Sequence, residues 1–329
     1  MGKKCELCLG GELKTDAMVQ CETCQDYYHL GCFELKINVV FLPPFFCPVC
    51  LKNYEPSFGF DSGNGYYLNE FMTKANDFYQ EYLIQKLRIT DSQSNKRNNK
   101  VLPLNKEKEF WHHIDNPVVD LQVETANDLQ SSYQGSGFTT AEINPHDPIA
   151  THPWNLNNIG NSPSNVLSNL QDKHSGMNVP WAYITMLFST HCWHTDDHFA
   201  YSINYQHWGE SKRYYSIPSN AAYEFEAFFK QLAPSLFKND PELMYQLITM
   251  VSPQDIQKAG IPIYTCEQKA GEFVITLPQS YSCWYSNGFS FNESIYYAPY
   301  DWISFGLKSK IDYQLQNRMP VFCFEELLL

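Results

Sequence analysis

The 329-residue chain has no histidine after His207, so nothing in residues 208 to 329 can offer an imidazole to a metal. It has no apolar run near the roughly 18–20 residues that a membrane span needs, which excludes a helical anchor within it. It is short of positive charge, with 23 Lys and Arg against 36 Asp and Glu and a formal net charge of -13. A surface that acidic repels a phosphate backbone, so direct DNA binding by this segment is not expected, and a basic partner suits it better. The first residues, MGKKCELC, hold no apolar core of the kind that begins a secretion signal, which reads as an intracellular protein. No internal repeat is present, and no tryptophan precedes Trp111. What remains is 43% hydrophobic and 16% aromatic, enough to bury one large core beside a small module.

The cysteines are unevenly placed. Seven of the eleven fall within the first fifty residues, which in an intracellular chain reads as metal binding and not as a disulfide framework. The scattered four, Cys192, Cys266, Cys283 and Cys323, are expected as buried free thiols. Three segments follow from composition: a cysteine-rich module over 1–52, a connector over 53–106 and one domain over 107–329. Within the connector, Leu68, Phe71, Met72, Ala75, Phe78, Tyr79, Tyr82 and Leu83 recur at intervals of three and four, which predicts an amphipathic helix over 67–87. Residues 90–100, TDSQSNKRNNK, carry no apolar period and read as a mobile loop. In the last segment AYITMLFST, YSINY, KRYYSI and GEFVITL are short runs rich in β-branched and aromatic residues, interrupted by helical spacing over 219–258 with Ser219 as its expected N-cap. Short strands at even intervals favour a sandwich or barrel.

The first module reads Cys5-x2-Cys8, Cys21-x2-Cys24, His29-x2-Cys32 and Cys47-x2-Cys50. Each short loop presents two donors on one side of a turn, and eight donors make two closed tetrahedral zinc sites, which fold the module and leave no position for catalysis. The interleaved order resembles a cross-braced PHD finger. That resemblance implies one zinc on Cys5, Cys8, His29 and Cys32 and a second on Cys21, Cys24, Cys47 and Cys50. A RING-type ubiquitin ligase finger is the near neighbour, but the long Cys32–Cys47 gap and Phe45 two residues before Cys47 favour the PHD pattern. PHD fingers bind the histone H3 tail as an added strand. Glu12, Asp16, Glu22 and Asp26 are available to pair its basic groups, and Met18 and Tyr27 fall where methyl-lysine readers place two cage walls.

In the third segment His194 and Asp196 stand at His-x-Asp spacing. At the end of a strand this puts an imidazole and a carboxylate on one face, as a two-histidine, one-carboxylate iron site requires. Lys212 is a candidate counter-charge for a cosubstrate carboxylate, with Ser202 and Asn204 as hydrogen-bonding neighbours. The segments HPWNLNNI, SGMNVPWAY, CWHTDDHFAYSINYQHWGESK, KAGEFVITLPQSY and RMPVFCFEEL resemble the JARID (lysine demethylase 5) family of JmjC histone H3 lysine-4 demethylases, across nearly the whole chain. The resemblance implies a JmjC double-stranded β-helix (jelly roll, cupin-like) with a helical insertion, behind a PHD finger. It implies His194 and Asp196 as iron ligands and Ser202, Asn204 and Lys212 as 2-oxoglutarate contacts.

The same resemblance exposes departures. Ser282 stands where the third iron ligand, a histidine, is due. Trp284 replaces a glycine, Ser286 an asparagine, His191 a phenylalanine beside the cosubstrate and Thr125 a tyrosine that touches it. Strand alternation predicts that Cys283 faces away from Ser282, and that His191 faces away from His194. The expectation is therefore a vestigial site that holds neither Fe(II) nor 2-oxoglutarate, two structural zincs, and a nuclear pseudo-enzyme that binds a histone tail and works as a scaffold with other subunits of a chromatin complex. The competing readings are an active Fe(II)/2-oxoglutarate demethylase with an altered metal site, and a finger-based ubiquitin ligase.

Overall fold

The computed structural model describes residues 5, 6, 8, 18–21, 23–29, 32, 47, 49, 50, 63–93, 104–116, 121–239, 244, 250–316, 318–324 and 327. Glu12, Asp16, Glu22 and residues 94–100 of the expected loop lie outside them.

In the first module β1 (Met18–Gln20) and β2 (Tyr27–His29) form an antiparallel hairpin, with Met18 opposite His29 and Gln20 opposite Tyr27. Cys21, Tyr28 and Cys47 are buried together with Cys323 from the far end of the chain, so the finger packs on the C-terminal segment. The connector helix α1 runs Leu68–Gln93, six residues beyond the predicted end and into the stretch read as loop. Its Phe71, Ala75 and Tyr82 are buried, as the three-and-four spacing requires. Helix α2 (Lys106–Asp115) is capped by the Asn105 side chain and buries Phe110 and Trp111. Phe110 stacks on Tyr285 at 4.1 Å, and the Trp111 indole donates to the Tyr215 hydroxyl at 3.0 Å.

The remaining strands are β3 (Ala126–Gln130), β4 (Trp181–Thr185), β5 (Thr190–Thr195), β6 (Tyr201–Gly209), β7 (Lys212–Ile217), β8 (Tyr264–Gln268), β9 (Phe273–Thr276), β10 (Tyr281–Ser286) and β11 (Ser290–Tyr297). They make two antiparallel sheets, ordered β5-β10-β7-β8 and β3-β4-β11-β6-β9. This is the expected jelly roll behind a zinc-finger module. The helical insertion is present as α3 (Ala222–Leu232) and the short helices Pro234–Asn239 and Pro253–Lys258. Its predicted cap is wrong: Ser219 lies inside a 3-10 turn that has no side-chain cap, whereas Ser252 caps the helix after it. Helix α4 (Ile303–Leu315) closes the domain. No helix among the described residues is long and apolar enough to cross a membrane.

Candidate metal centres and the barrel cavity

The finger gathers two donor sets among the described residues. Cys5, Cys8, His29 and Cys32 form one and Cys21, Cys24, Cys47 and Cys50 the other, each with its ligand atoms within 4.8 Å of one another. Eight separate positions converge as two tetrads because the β1–β2 hairpin brings the middle donors back beside the outer ones. The chemistry of each set, thiolates with at most one imidazole, is that of structural zinc. Met18 and Tyr27 are both half-buried and share a face of the hairpin; Asp26 sits just before the second strand.

The second site is a cavity of about 90 Å³ where the two sheets meet. His194, Asp196, Ser202, Asn204 and Ser282 line it. The His194 Nδ1–H donates to the Cys192 carbonyl at 2.8 Å, which leaves the Nε2 lone pair pointing inward, 3.8 Å from Asp196 Oδ1. A backbone carbonyl on the outer nitrogen is how proteins fix the tautomer of a metal-ligating histidine. Asp196 Oδ2 is buried with no hydrogen-bond partner. Burial, only partly opposed by the Ser202 hydroxyl, pushes the Asp196 carboxyl up to about 7. Burial likewise lowers His194, keeping it neutral. A bound dication answers all three conditions: a free lone pair, an orphaned oxygen and a carboxylate that burial alone disfavours as an anion. Two donors therefore fit Fe(II), while Ser282, opposite His194 across the β5–β10 ladder, supplies only a neutral hydroxyl.

His191 overturns the expectation that it faces away. In the β5–β10 ladder Ser282 pairs with His194 and Trp284 with His191, so one residue of β10, Cys283, spans two of β5, Cys192 and Trp193. That bulge shifts the alternation by one and turns His191 onto the same wall as His194, with ring centroids 4.3 Å apart. Cys283 and Trp193 point the other way into the main core, as alternation from Ser282 predicts.

The cosubstrate contacts divide. Ser202 and Asn204 are on the cavity wall, but Lys212 is not. Lys212 is fully buried, its Nζ has no acceptor, and it lies 3.8 Å from the centre of the Trp284 ring. Burial drops its pKa well below the ordinary lysine value. The indole that stands in place of a glycine thus covers the ammonium, and with Trp284 in this position the residues do not fit 2-oxoglutarate in the manner the resemblance implies. Thr125 also departs from expectation: its hydroxyl bonds to Asn127 Oδ1 and the Ile184 carbonyl and lies off the cavity. Tyr183 is one of the tyrosines on the wall, donating to Asp128 at 2.9 Å. Ser286 is buried at a distance, bonded to Thr185 and the Gly288 carbonyl.

Sequence reasoning missed the other half of the cavity. Asp128, Asp197, Trp181, Tyr183, Tyr214, Tyr296 and Arg318 complete it. Asp197 pairs with Arg318 at 3.0 Å, while Asp128 holds φ 56 within a strand, a backbone state that asparagine and aspartate tolerate. No local spacing marks these residues, because they come from six separate segments of the chain.

Residues 5–50 match the model of the PHD-finger family, and residues 181–297 match that of the JmjC domain, a hydroxylase. The chain is 34% identical over 334 residues to lysine-specific demethylase 5B of Gallus gallus, and equally to lysine-specific demethylase 5D of Homo sapiens and of Pan troglodytes. In each case the match covers 98% of this chain and 21% of the relative, so the chain spans about a fifth of the length of these curated relatives. These findings correct the pseudo-enzyme expectation: the barrel matches a hydroxylase-type enzyme domain, and its relatives are named as demethylases. The physical error was to equate a lost third histidine with a lost metal, when the His194 lone pair and the Asp196 oxygen remain free and a bulge adds a second imidazole to the wall. The two domain matches and the identity along nearly its whole length establish that this chain belongs to the lysine demethylase 5 (JARID) family.

Proposed function

We propose that this chain is the reader-plus-oxygenase part of an iron-dependent lysine demethylase with an altered metal site, acting in the nucleus on a methylated histone tail. The observation that carries the reading is the His194–Asp196 pair, whose inward lone pair and unpartnered oxygen face the cavity. Ferrous iron held there would supply hydroxylation of a methyl C–H bond by dioxygen, with an oxoacid as the two-electron reductant bound without the Lys212 ammonium that Trp284 covers, and the hydroxymethyl amine would shed formaldehyde.

The chain's own residues prepare the substrate side. A methylated ammonium is cationic and apolar at once. Trp181, Tyr183 and Tyr296 offer aromatic faces, and Asp128 offers a carboxylate at the same cavity. Arg318 pairs with Asp197, which leaves Asp128, raised by burial and held down by the Tyr183 hydroxyl, as the acidic group that neither an ion pair nor the metal would occupy. In the finger, two structural zincs hold the hairpin on which Met18 and Tyr27 would flank a tail side chain and Asp26 would pair a basic group. The net charge of -13 favours such a basic tail and disfavours DNA. Other subunits of a chromatin complex would act on the same assembly. A RING-type ligase role has no support from a first module that matches the PHD family.

The test is turnover. The zinc-loaded chain, given Fe(II), 2-oxoglutarate and histone H3 tail peptides of each lysine-4 methylation state, is expected to release formaldehyde and yield demethylated peptide by mass spectrometry. His194→Ala should abolish both. Absence of demethylated product from every peptide, at protein concentrations equal to the peptide, would discard the reading.

A further inference from the structure

We propose that His191, and not Ser282, is the third protein donor to the divalent ion held by His194 and Asp196; this rests on reading the barrel as metal-dependent. The sequence places no histidine on β10, and a neutral hydroxyl is a poor partner for a dication. The fold supplies a substitute from β5, the strand that carries His194 and ends just before Asp196. The bulge that sets two residues of β5 against Cys283 re-aims His191, which an unbroken ladder would point into the main core. Its ring then stands 4.3 Å from that of His194, on the wall where the Asp196 oxygen is orphaned. His191 Nδ1 is itself buried with no hydrogen-bond partner. A buried nitrogen left bare loses its hydration without compensation, a cost that a bound ion would remove. Trp284 flanks the imidazole at 5.5 Å with the rings 32° apart, limiting its swing.

Outside the finger, no three His, Cys, Asp or Glu donors among the described residues lie within 4.8 Å of one another. His191, His194 and Asp196 already line one cavity, so closure onto an ion asks only for a small adjustment of side chains on the same wall. The resulting set is two imidazoles and one carboxylate drawn from six consecutive residues, His191 to Asp196. It is the donor chemistry of the family's iron site in a different spatial arrangement.

Cobalt(II) alone is the probe, added without oxygen to the full chain already loaded with two zincs. Thiolate-bound cobalt shows an intense near-ultraviolet charge-transfer band, so exchange in the finger is seen separately from the weak visible bands of a nitrogen and oxygen site. One cobalt beyond the finger is expected. His191→Phe, which keeps an aromatic ring, should weaken it by at least about 10-fold, Ser282→Ala by less than about twofold, and His194→Ala should abolish it. Circular dichroism melting of each variant checks the fold, and His191→Gln serves in place of His191→Phe should the latter unfold. Cobalt that depends on His194 yet is indifferent to His191, or that needs Ser282 as much as His191, overturns this inference and leaves a metal-dependent barrel standing. No cobalt outside the finger in the unaltered chain overturns both.

Discussion

At the scale of single residues, the cavity turns on what Trp284 does to Lys212. The ammonium sits against the indole face with no acceptor, and burial draws its pKa well down. Cation–π contact compensates part of the lost hydration, but it also spends the charge on the protein itself. Trp284→Gly should return Lys212 to the cavity. A carboxylate reaching a freed ammonium gains on the order of 1.5–3 kcal/mol, so 2-oxoglutarate should bind roughly 10–100-fold tighter. Titration calorimetry would measure it in the unaltered chain, in Trp284→Gly and in Trp284→Gly combined with Lys212→Met. The double variant is expected to lose the gain. Equal affinity in the first two, or a gain that survives loss of Lys212, would show that the indole does not shield the site. A cost in stability accompanies the substitution, about 3–5 kcal/mol for removing a buried indole, so binding is compared below the melting range of both proteins.

Among elements, the turn from β6 to β7, which carries the chain from one sheet to the other, fixes where the polar wall stands. Gly209 ends β6 with φ 100, and a Cβ there would lie 2.3 Å from the Phe289 carbonyl oxygen. Only glycine meets both demands, the left-handed backbone and the close approach of β11. Gly209→Ala should destabilise the barrel by about 1–3 kcal/mol, read as a lower urea midpoint with an unchanged slope. An unchanged midpoint would mean that the turn relaxes without strain. How much was legible in the sequence differs by element for physical reasons. Zinc donors announce themselves, since their chemistry demands fixed short spacings. Helix α1 is legible from its apolar period up to Leu83, but its polar last turns carry no such signal and read as loop. Strands were legible as runs, and the alternation that turns Cys283 from Ser282 holds along unbroken β10. It fails for His191, because a bulge depends on the pairing of β5 with β10, which neither strand encodes alone. The same limit explains Thr125 and Tyr183: which of two polar residues reaches a cavity is set by sheet order, with β4 between β3 and β11.

For the molecule as a whole, the chain's far end secures the site. The segment after α4 returns past the end of β5, where Phe322 stacks on the His198 ring at 3.9 Å and the Val321 N–H donates to His198 Nε2 at 3.2 Å. One residue further on, Cys323 packs against Cys21 and Cys47 of the finger, so a single short segment touches both modules. His198 must be neutral to accept that hydrogen bond. Burial pushes its pKa down to about 3, with Arg318 and His174 adding to the effect and Asp197 opposing it. An unfolded chain would bind the proton near pH 6.5. Between those two values the unfolded chain takes up a proton that the folded one refuses. The stabilising effect is therefore complete above about pH 6.5 and is lost as pH falls toward 3. At pH 5 the loss should be about 2 kcal/mol. His198→Gln keeps a side-chain acceptor for Val321 but cannot titrate. Zinc release in acid affects both proteins alike, so the difference between them isolates the imidazole. Urea unfolding at pH 7.5 and pH 5 should show a smaller drop in the variant; parallel drops would mean that His198 is not what ties the chain's end to the barrel in acid.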